Sequence, residues 1–126
     1  MTNKMVNAPQ APAAVGPYSH SVVAGQTQYI SGQLGLDPET GVMKETVEQQ
    51  AEQALVNLGA ILKAADLSYD HVVKTTVFLK NMSDFSKINE IYGKYFKEHL
   101  PARSCVAVAE LPKGGLFEVE AIAVKA

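Results

Sequence analysis

Two segments of this chain, residues 46–67 and 85–99, carry apolar side chains at the three- and four-residue spacing of amphipathic helices. An apolar segment that fits a β-strand follows each of them. Strand–helix–strand crossovers within one sheet are right-handed, so two of them place both helices on the same face. The sequence therefore predicts a two-layer α+β fold. The opposite, partly apolar face of the sheet has no helix over it, and we expect an oligomer to cover it.

The remaining elements complete a ββαβαββ order. Gly25 lies between two β-rich segments at hairpin spacing, and Thr46 and Gln49 form the capping-box pattern that starts the first helix. We expect regular structure to begin near Tyr18, after a partly flexible segment at 1–14 that is rich in Ala, Pro and Asn. The predicted strands, all in one mixed sheet, are 19–23, 28–31, 72–80, 103–111 and 116–124.

Size and charge restrict the possible functions. The 126 residues suffice for a single domain spanning 1–126, and 47% hydrophobic with 19% charged residues is a globular composition. A formal net charge of −2 provides no basic field for phosphates, so no nucleic-acid partner is expected. The single cysteine, Cys105, excludes an internal disulfide and favours a cytoplasmic location. No apolar stretch approaches the roughly 20 residues of a membrane span, so no membrane partner is expected.

Arg103 is the first candidate for ligand binding, because it stands at the start of a predicted strand in the segment PARSC. A guanidinium is the natural bidentate partner of a carboxylate, although an ordinary surface arginine fits the same pattern. Strand alternation places Arg103 and Cys105 on one face. Cys105 is more typical of a small buried hydrophobic residue than of a nucleophile, since no partner histidine is identifiable, and we do not predict covalent catalysis.

Two carboxylates, Glu118 and Glu120, interrupt the otherwise apolar last strand and share one of its faces. Carboxylates in such a strand need a cationic partner, solvent or a function. Pairing with Lys or Arg across the sheet, or exposure to solvent, is one interpretation, and orientation of a nucleophilic water by one of them is the other. The three histidines are too scattered along the chain to predict a metal site.

Five blocks of the sequence resemble the RidA family, also called the YjgF proteins or 2-iminobutanoate/2-iminopropanoate deaminases. Together they span nearly the whole chain. The resemblance implies a chorismate-mutase-like α+β fold and a homotrimer with active sites between subunits. The matching blocks are AAVGPY at 13–18, ISGQ at 30–33, VKTTVF at 73–78, PARSCV at 101–106 and EVEAIAV at 118–124.

The resemblance also implies an activity, the hydrolytic deamination of reactive 2-imino acids such as 2-iminopropanoate and 2-iminobutanoate to 2-keto acids and ammonia. It makes Arg103 the clamp for the substrate carboxylate and Glu118 the holder of the attacking water, and it adds Cys105 to the catalytic set through its backbone. No cofactor is expected, because a protonated imine carbon is already electrophilic. The substrate-binding residues it implies are Tyr18, Ser31, Gly32, Asn89, Arg103 and Glu120.

Some features depart from the family pattern and leave the preferred substrate side chain open. The connection at 98–101 is short, Gly114 and Gly115 replace bulkier residues, and the segment at 34–37 differs from the common one. A second functional hypothesis is a non-catalytic trimer that binds a keto acid or docks another protein through the same clefts. RNA cleavage is disfavoured by the acidic charge balance and by the lack of a histidine pair.

Overall fold

The computed structural model describes residues 2–125, and within them one mixed sheet packs against two α-helices. The sheet has six strands in the order β1-β2-β3-β6-β4-β5, in which β4 and β5 are parallel and the other neighbours antiparallel. The predicted α+β class, mixed sheet and ββαβαββ order are confirmed, with one additional strand at the start. The elements are β1 (Lys4–Val6), β2 (Ser21–Ala24), β3 (Thr27–Leu34), α1 (Val47–Ala64), β4 (Val72–Leu79), α2 (Phe85–Tyr95), β5 (Ala102–Ala107) and β6 (Phe117–Val124).

Helix α1 packs on β3 and β6 and lies beside α2, so both helices cover the same sheet face as predicted. The capping box is confirmed: Oγ1 of Thr46 accepts from the N–H of Gln49 at 3.1 Å, and Oε1 of Gln49 accepts from the N–H of Thr46 at 3.2 Å. The helix ends before the predicted residue 67, because Asp66 takes a positive φ of 60° that turns the chain. Its apolar face forms the centre of the core with Ala51, Ala54, Leu55, Leu58, Ile61 and Leu62.

Helix α2 also ends earlier than predicted, at Tyr95 instead of residue 99. Phe96 leaves the helical conformation with φ −116° and ψ 83°. Its ring is only 2% exposed and packs edge-on against Tyr69, with the centroids 5.6 Å apart. Burying this aromatic ring in the core outweighs another helical turn on the surface.

Strand β5 stops at Ala107, although the apolar sequence predicts a strand as far as residue 111. Its only sheet neighbour among the described residues is β4, whose last residue Leu79 lies opposite Ala107. An edge strand has no second partner to hold its backbone groups, so pairing ends where β4 ends.

The N-terminal segment contains a strand that the sequence did not predict, and the expectation that regular structure begins near Tyr18 is wrong. Strand β1 pairs antiparallel with β2 at the sheet edge. The residues that follow β1 are held by the side chain of His20, which is only 5% exposed. Its Nδ1 accepts from the N–H of Ala8 at 3.0 Å, and its Nε2 donates to the carbonyl of Pro12 at 2.7 Å. A three-residue strand in which only Val6 is partly buried has too little periodicity to be found in a sequence.

The sheet face away from the helices, here called the open face, is covered by neither α1 nor α2. Side chains of β6 alternate between the buried helix side and this face, which carries Glu118 and Glu120. Tyr29 and Val106 are 51% and 43% exposed there. None of the helices within residues 2–125 is long and apolar enough to cross a membrane.

Candidate active site

Arg103 lies near the start of β5 and directs its guanidinium toward α2. Its Cζ is 4.8 Å from the centroid of the Tyr92 ring and 5.3 Å from that of Phe85. Its Nη1 donates a 2.8 Å hydrogen bond to Oδ1 of Asn89. None of the ion pairs formed by residues 2–125 includes Arg103. The guanidinium is thus held by neutral groups that leave its charge available, which suits a carboxylate-binding arginine.

The Tyr92 ring beside Arg103 is itself fixed from the sheet. Its hydroxyl is 2.7 Å from Oγ1 of Thr75, a fully buried residue of β4 that lies opposite Arg103 in the sheet register. Burial raises the pKa of Tyr92, while the Thr75 hydrogen bond and the Arg103 charge oppose that rise. The phenol is therefore neutral at physiological pH and acts as a rigid support for the guanidinium.

Cys105 shares the helix-side face of β5 with Arg103, as strand alternation predicts, and packs against the hydrophobic core. Burial raises the pKa of its thiol, and the charge of Arg103 partly opposes this. A thiol with a raised pKa is protonated at neutral pH and is a poor nucleophile. Its environment therefore favours a packing role for the side chain. Within residues 2–125, no three His, Cys, Asp or Glu side chains are grouped to hold a metal ion.

The open face carries a cleft of about 500 Å³, a volume that suits a small metabolite. We call it the sheet cleft. One wall is apolar and comes from the N-terminal segment, the end of β3 and two loops, with Pro12, Ala13, Val15, Leu34, Leu36 and Pro112. Its polar lining consists mainly of Tyr18, Ser31, Gln33, Lys113, Glu118 and Glu120, with the bare backbone of Gly32 between them.

A β-bulge at residues 31–32 shapes the floor of the sheet cleft, because β3 has one extra residue there relative to β6. The bulge is held on two sides. Ser31 Oγ donates to the carbonyl of Ser19 at 2.7 Å, and Gln33 Nε2 donates to the carbonyl of Ser31 at 3.2 Å. Bulges redirect side chains and are frequent beside active sites. This one brings the backbone of residue 32 under the side chain of Glu118.

Glu118 and Glu120 share the open face, as the sequence predicts. Burial raises the pKa of Glu118 above its ordinary value of 4.5, and the negative charge of Glu120 raises it further. Neither carboxylate takes part in the ion pairs formed by residues 2–125, so pairing across the sheet does not account for them. Glu120 is exposed, which fits the solvent interpretation, whereas Glu118 is partly buried. A carboxylate with a raised pKa is a stronger base than an ordinary one, which suits a group that accepts a proton and returns it.

The structure divides the predicted site residues into two groups. The sheet cleft brings together Tyr18, Ser31, Gly32, Glu118 and Glu120. The second group, Arg103, Asn89 and Cys105, lies on the helix side of the sheet. A single chain therefore does not bring the arginine to the cleft.

Sequence reasoning missed several residues around the site. Phe85 and Tyr92 were predicted only as apolar helix positions, since nothing in their spacing marks them as supports for Arg103. Lys113 lines the sheet cleft and has a positive φ of 56°, which is uncommon for a residue other than glycine. The predicted strands at 103–111 and 116–124 make residues 112–115 the connection between them, but nothing in the sequence predicts the position of that connection at the cleft.

The fold and the site define a small α+β protein with a polar cleft of metabolite size and, away from the cleft, an arginine that has no ion-pair partner among residues 2–125. Within that class the chain belongs to the RidA family. The family model described as endoribonuclease L-PSP matches residues 8–125. The chain is 53% identical over 123 residues to the 2-iminobutanoate/2-iminopropanoate deaminase of Mus musculus, which covers 97% of this chain and 91% of that protein.

Solved structures give the same family. RidA from the Antarctic bacterium Psychrobacter superposes with a TM-score of 0.95 at 48% identity, covering 97% of this chain and 99% of that one. Escherichia coli TdcF, solved with bound serine, superposes with a TM-score of 0.94 at 44% identity, covering 98% of this chain and 99% of that one. The resemblance predicted from five sequence blocks is confirmed.

Proposed function

We propose that this protein hydrolyses reactive 2-imino acids to 2-keto acids and ammonia, without a cofactor, at sites completed by two subunits of a homotrimer. The observation that carries the proposal is the fixed guanidinium of Arg103, which has no ion-pair partner among residues 2–125. Every 2-imino acid has a carboxylate next to its imine carbon, so one clamp serves the whole substrate class. A relative with 53% identity is named for this activity.

The protein does not need to activate the imine strongly, because the carbon of a protonated imine is already electrophilic. The oxygen of a water molecule bonds to that carbon, the π electrons move to nitrogen, and the water gives a proton to the Glu118 carboxylate. The product is a carbinolamine. Glu118 returns its proton to the amino group, the carbon–nitrogen bond breaks, and the departing ammonia takes the hydroxyl proton as the keto group forms. The sum is protonated imine plus water giving keto acid plus ammonium.

Two groups have defined tasks in this scheme. Arg103 fixes the carboxylate, so that the adjacent carbon is held about 3 Å from the attacking water. Glu118 transfers the proton in both directions, and its raised pKa suits both. Tyr18, Ser31, Asn89, Glu120 and the backbone at Gly32 and Cys105 are proposed to complete the pocket.

The assembly part of the proposal follows from the separation of the two groups. Arg103 extends from an edge strand on the helix side, and Glu118 lies in the cleft on the open face. Packing the open faces of several subunits together would cover Tyr29 and Val106, and would bring the β5 edge of one subunit to the sheet cleft of the next. Closed rotational symmetry repeats this contact, and the family resemblance suggests three subunits.

A non-catalytic ligand-binding role is the second candidate, and one observation favours it. The related TdcF was solved with bound serine, so a fold of this kind holds a small amino acid. RNA cleavage, which the description of the family model mentions, has less physical support here. The sheet cleft presents Glu118 and Glu120 with Lys113 as its cation, and a chain of net charge −2 does not attract phosphates.

A coupled assay tests the proposal. An amino-acid oxidase generates the imino acid in the assay mixture. Semicarbazide traps the imino acid in competition with hydrolysis, so the rates at which keto acid and ammonia form report how fast this protein hydrolyses the imine. We expect acceleration by the wild type and loss of it in Arg103→Ala. Binding of pyruvate that depends on Arg103, with hydrolysis at the uncatalysed rate, would establish the binding role instead.

A further inference from the structure

Gly32 lies in the bulge directly beneath the side chain of Glu118. A Cβ atom built on Gly32 would overlap Oε2 of Glu118 and lie 2.9 Å from its carboxyl carbon and 3.2 Å from its Cγ. Non-bonded carbon atoms are at their best separation about 3.5–4.0 Å apart. Glu118 therefore occupies the space that a side chain at position 32 would take.

The backbone conformation does not explain why glycine stands at this position. Gly32 is not among the glycines with positive φ, so a residue with a side chain can adopt its conformation. Gly35 is different, because a Cβ there would lie 2.6 Å from the backbone oxygen of Gln50 and disturb the packing of α1. Gly93, on the exposed side of α2, has nothing within 4 Å of such an atom. The glycine at position 32 leaves room for the side chain of Glu118.

The bulge has little freedom to move away from an added methyl group. Hydrogen bonds from Ser31 to the carbonyl of Ser19, and from Gln33 to the carbonyl of Ser31, hold the residue before it on both sides. The Glu118 carboxylate, in contrast, is the end of a flexible side chain at the surface of the sheet cleft. An added methyl at position 32 would therefore move the carboxylate and leave the fold in place.

We infer that Gly32 is a positioning residue for Glu118: the missing Cβ sets where the carboxylate stands, and with it the water it holds. The role of that water rests on the proposed function, whereas the placement of the carboxylate does not. The proposal gives Gly32 a task beyond any backbone contact with substrate, because its effect on hydrolysis passes through the Glu118 side chain.

The test is Gly32→Ala, with Gly93→Ala as the matched control. In Gly32→Ala we expect an unchanged melting temperature, a Glu118 carboxylate displaced by about 1 Å in a crystal structure, and a kcat lowered about 10- to 100-fold. The control keeps the wild-type kcat. A displaced carboxylate moves toward the solvent of the cleft, where Glu120 and Lys113 are the other charged groups. The acidic limb of the pH profile should therefore shift to lower pH.

Repeating Gly32→Ala in a Glu118→Asp variant distinguishes the positioning role of Gly32 from a backbone contact between Gly32 and the substrate. Glu118→Asp withdraws the carboxylate from position 32, so adding Gly32→Ala to that variant should lower kcat less than about twofold further. An equal loss in both backgrounds, or a Glu118 carboxylate that does not move, overturns the inference.

Failure of the proposed function is recognised separately, because the wild type would then not hydrolyse imines. Titration of the Glu118 carboxyl by NMR decides the placement in that case. A pKa lowered by Gly32→Ala supports the positioning role, and an unchanged pKa overturns it.

Discussion

Arg103 and Glu118 stand on opposite faces of the same sheet, so no single chain can offer both to one ligand. If each site takes its arginine from one subunit and its glutamate from the next, two inactive variants can complement each other. Arg103→Ala and Glu118→Gln oligomers should each lack activity. Mixed oligomers assembled from equal amounts should regain about one quarter of the wild-type sites by random association.

The mixing is done by co-refolding, and each variant refolded alone is the control. Activity is measured per total subunit with the coupled imine assay. Mixed oligomers that remain as inactive as either parent would show that the site does not combine these two residues from neighbouring subunits.

Substitutions of Arg103 distinguish a bidentate clamp from a simple positive charge. Arg103→Ala should lower kcat/KM at least 30-fold, since truncating one member of a desolvated charge pair costs about 2–5 kcal/mol. Arg103→Lys keeps the charge but loses the fork geometry and the bond to Asn89, so we expect a loss of at least tenfold. Calorimetric titration with pyruvate should show the same order of affinities. Lys63→Ala, on the exposed side of α1, is the control and should match the wild type.

Much of this arrangement follows from sequence patterns that are local. The capping box at Thr46 and the alternation that pairs Glu118 with Glu120 depend only on neighbouring residues, and both are confirmed. The placement of Arg103 and Glu118 on opposite sheet faces depends on the order and register of β5, β4 and β6. Alternation within one strand does not predict that order or register. Strand β1 and the support of Arg103 by Phe85 likewise arise only from tertiary contacts.

The pH dependence of hydrolysis should report the interaction between the two glutamates. Glu118 must be deprotonated to accept a proton from water, so kcat rises as pH increases through its pKa. Burial and the charge of Glu120 both raise that pKa. Glu120→Gln removes the second cause, and the acidic limb of the kcat profile should move to lower pH. Glu110→Gln, an exposed loop position, should leave the limb unchanged.

The raised pKa of Glu118 also lowers the stability of the fold at neutral pH. Between the ordinary carboxyl pKa of 4.5 and the higher folded-state pKa of Glu118, the folded chain binds more protons than the unfolded chain, so stability falls as pH rises. Glu118→Gln, which cannot ionise, should therefore have a higher melting temperature than the wild type at pH 7. The difference should disappear near pH 4, where both carboxyl and amide are neutral. A melting-temperature difference that is the same at both pH values would assign the effect to packing.

The N-terminal segment offers a test of whether the cleft wall is part of the site. His20 bridges the N–H of Ala8 and the carbonyl of Pro12, and Pro12, Ala13 and Val15 line the sheet cleft. His20→Ala leaves both backbone groups without their partner, which should destabilise the fold by about 2 kcal/mol in urea denaturation. The loosened wall should raise KM for the imino acid several-fold while kcat changes little, because the Glu118 side chain lies against β3 at Gly32. Gln10→Ala, exposed in the same segment, is the matched control. An unchanged KM in a demonstrably destabilised His20→Ala would remove the wall from the substrate pocket.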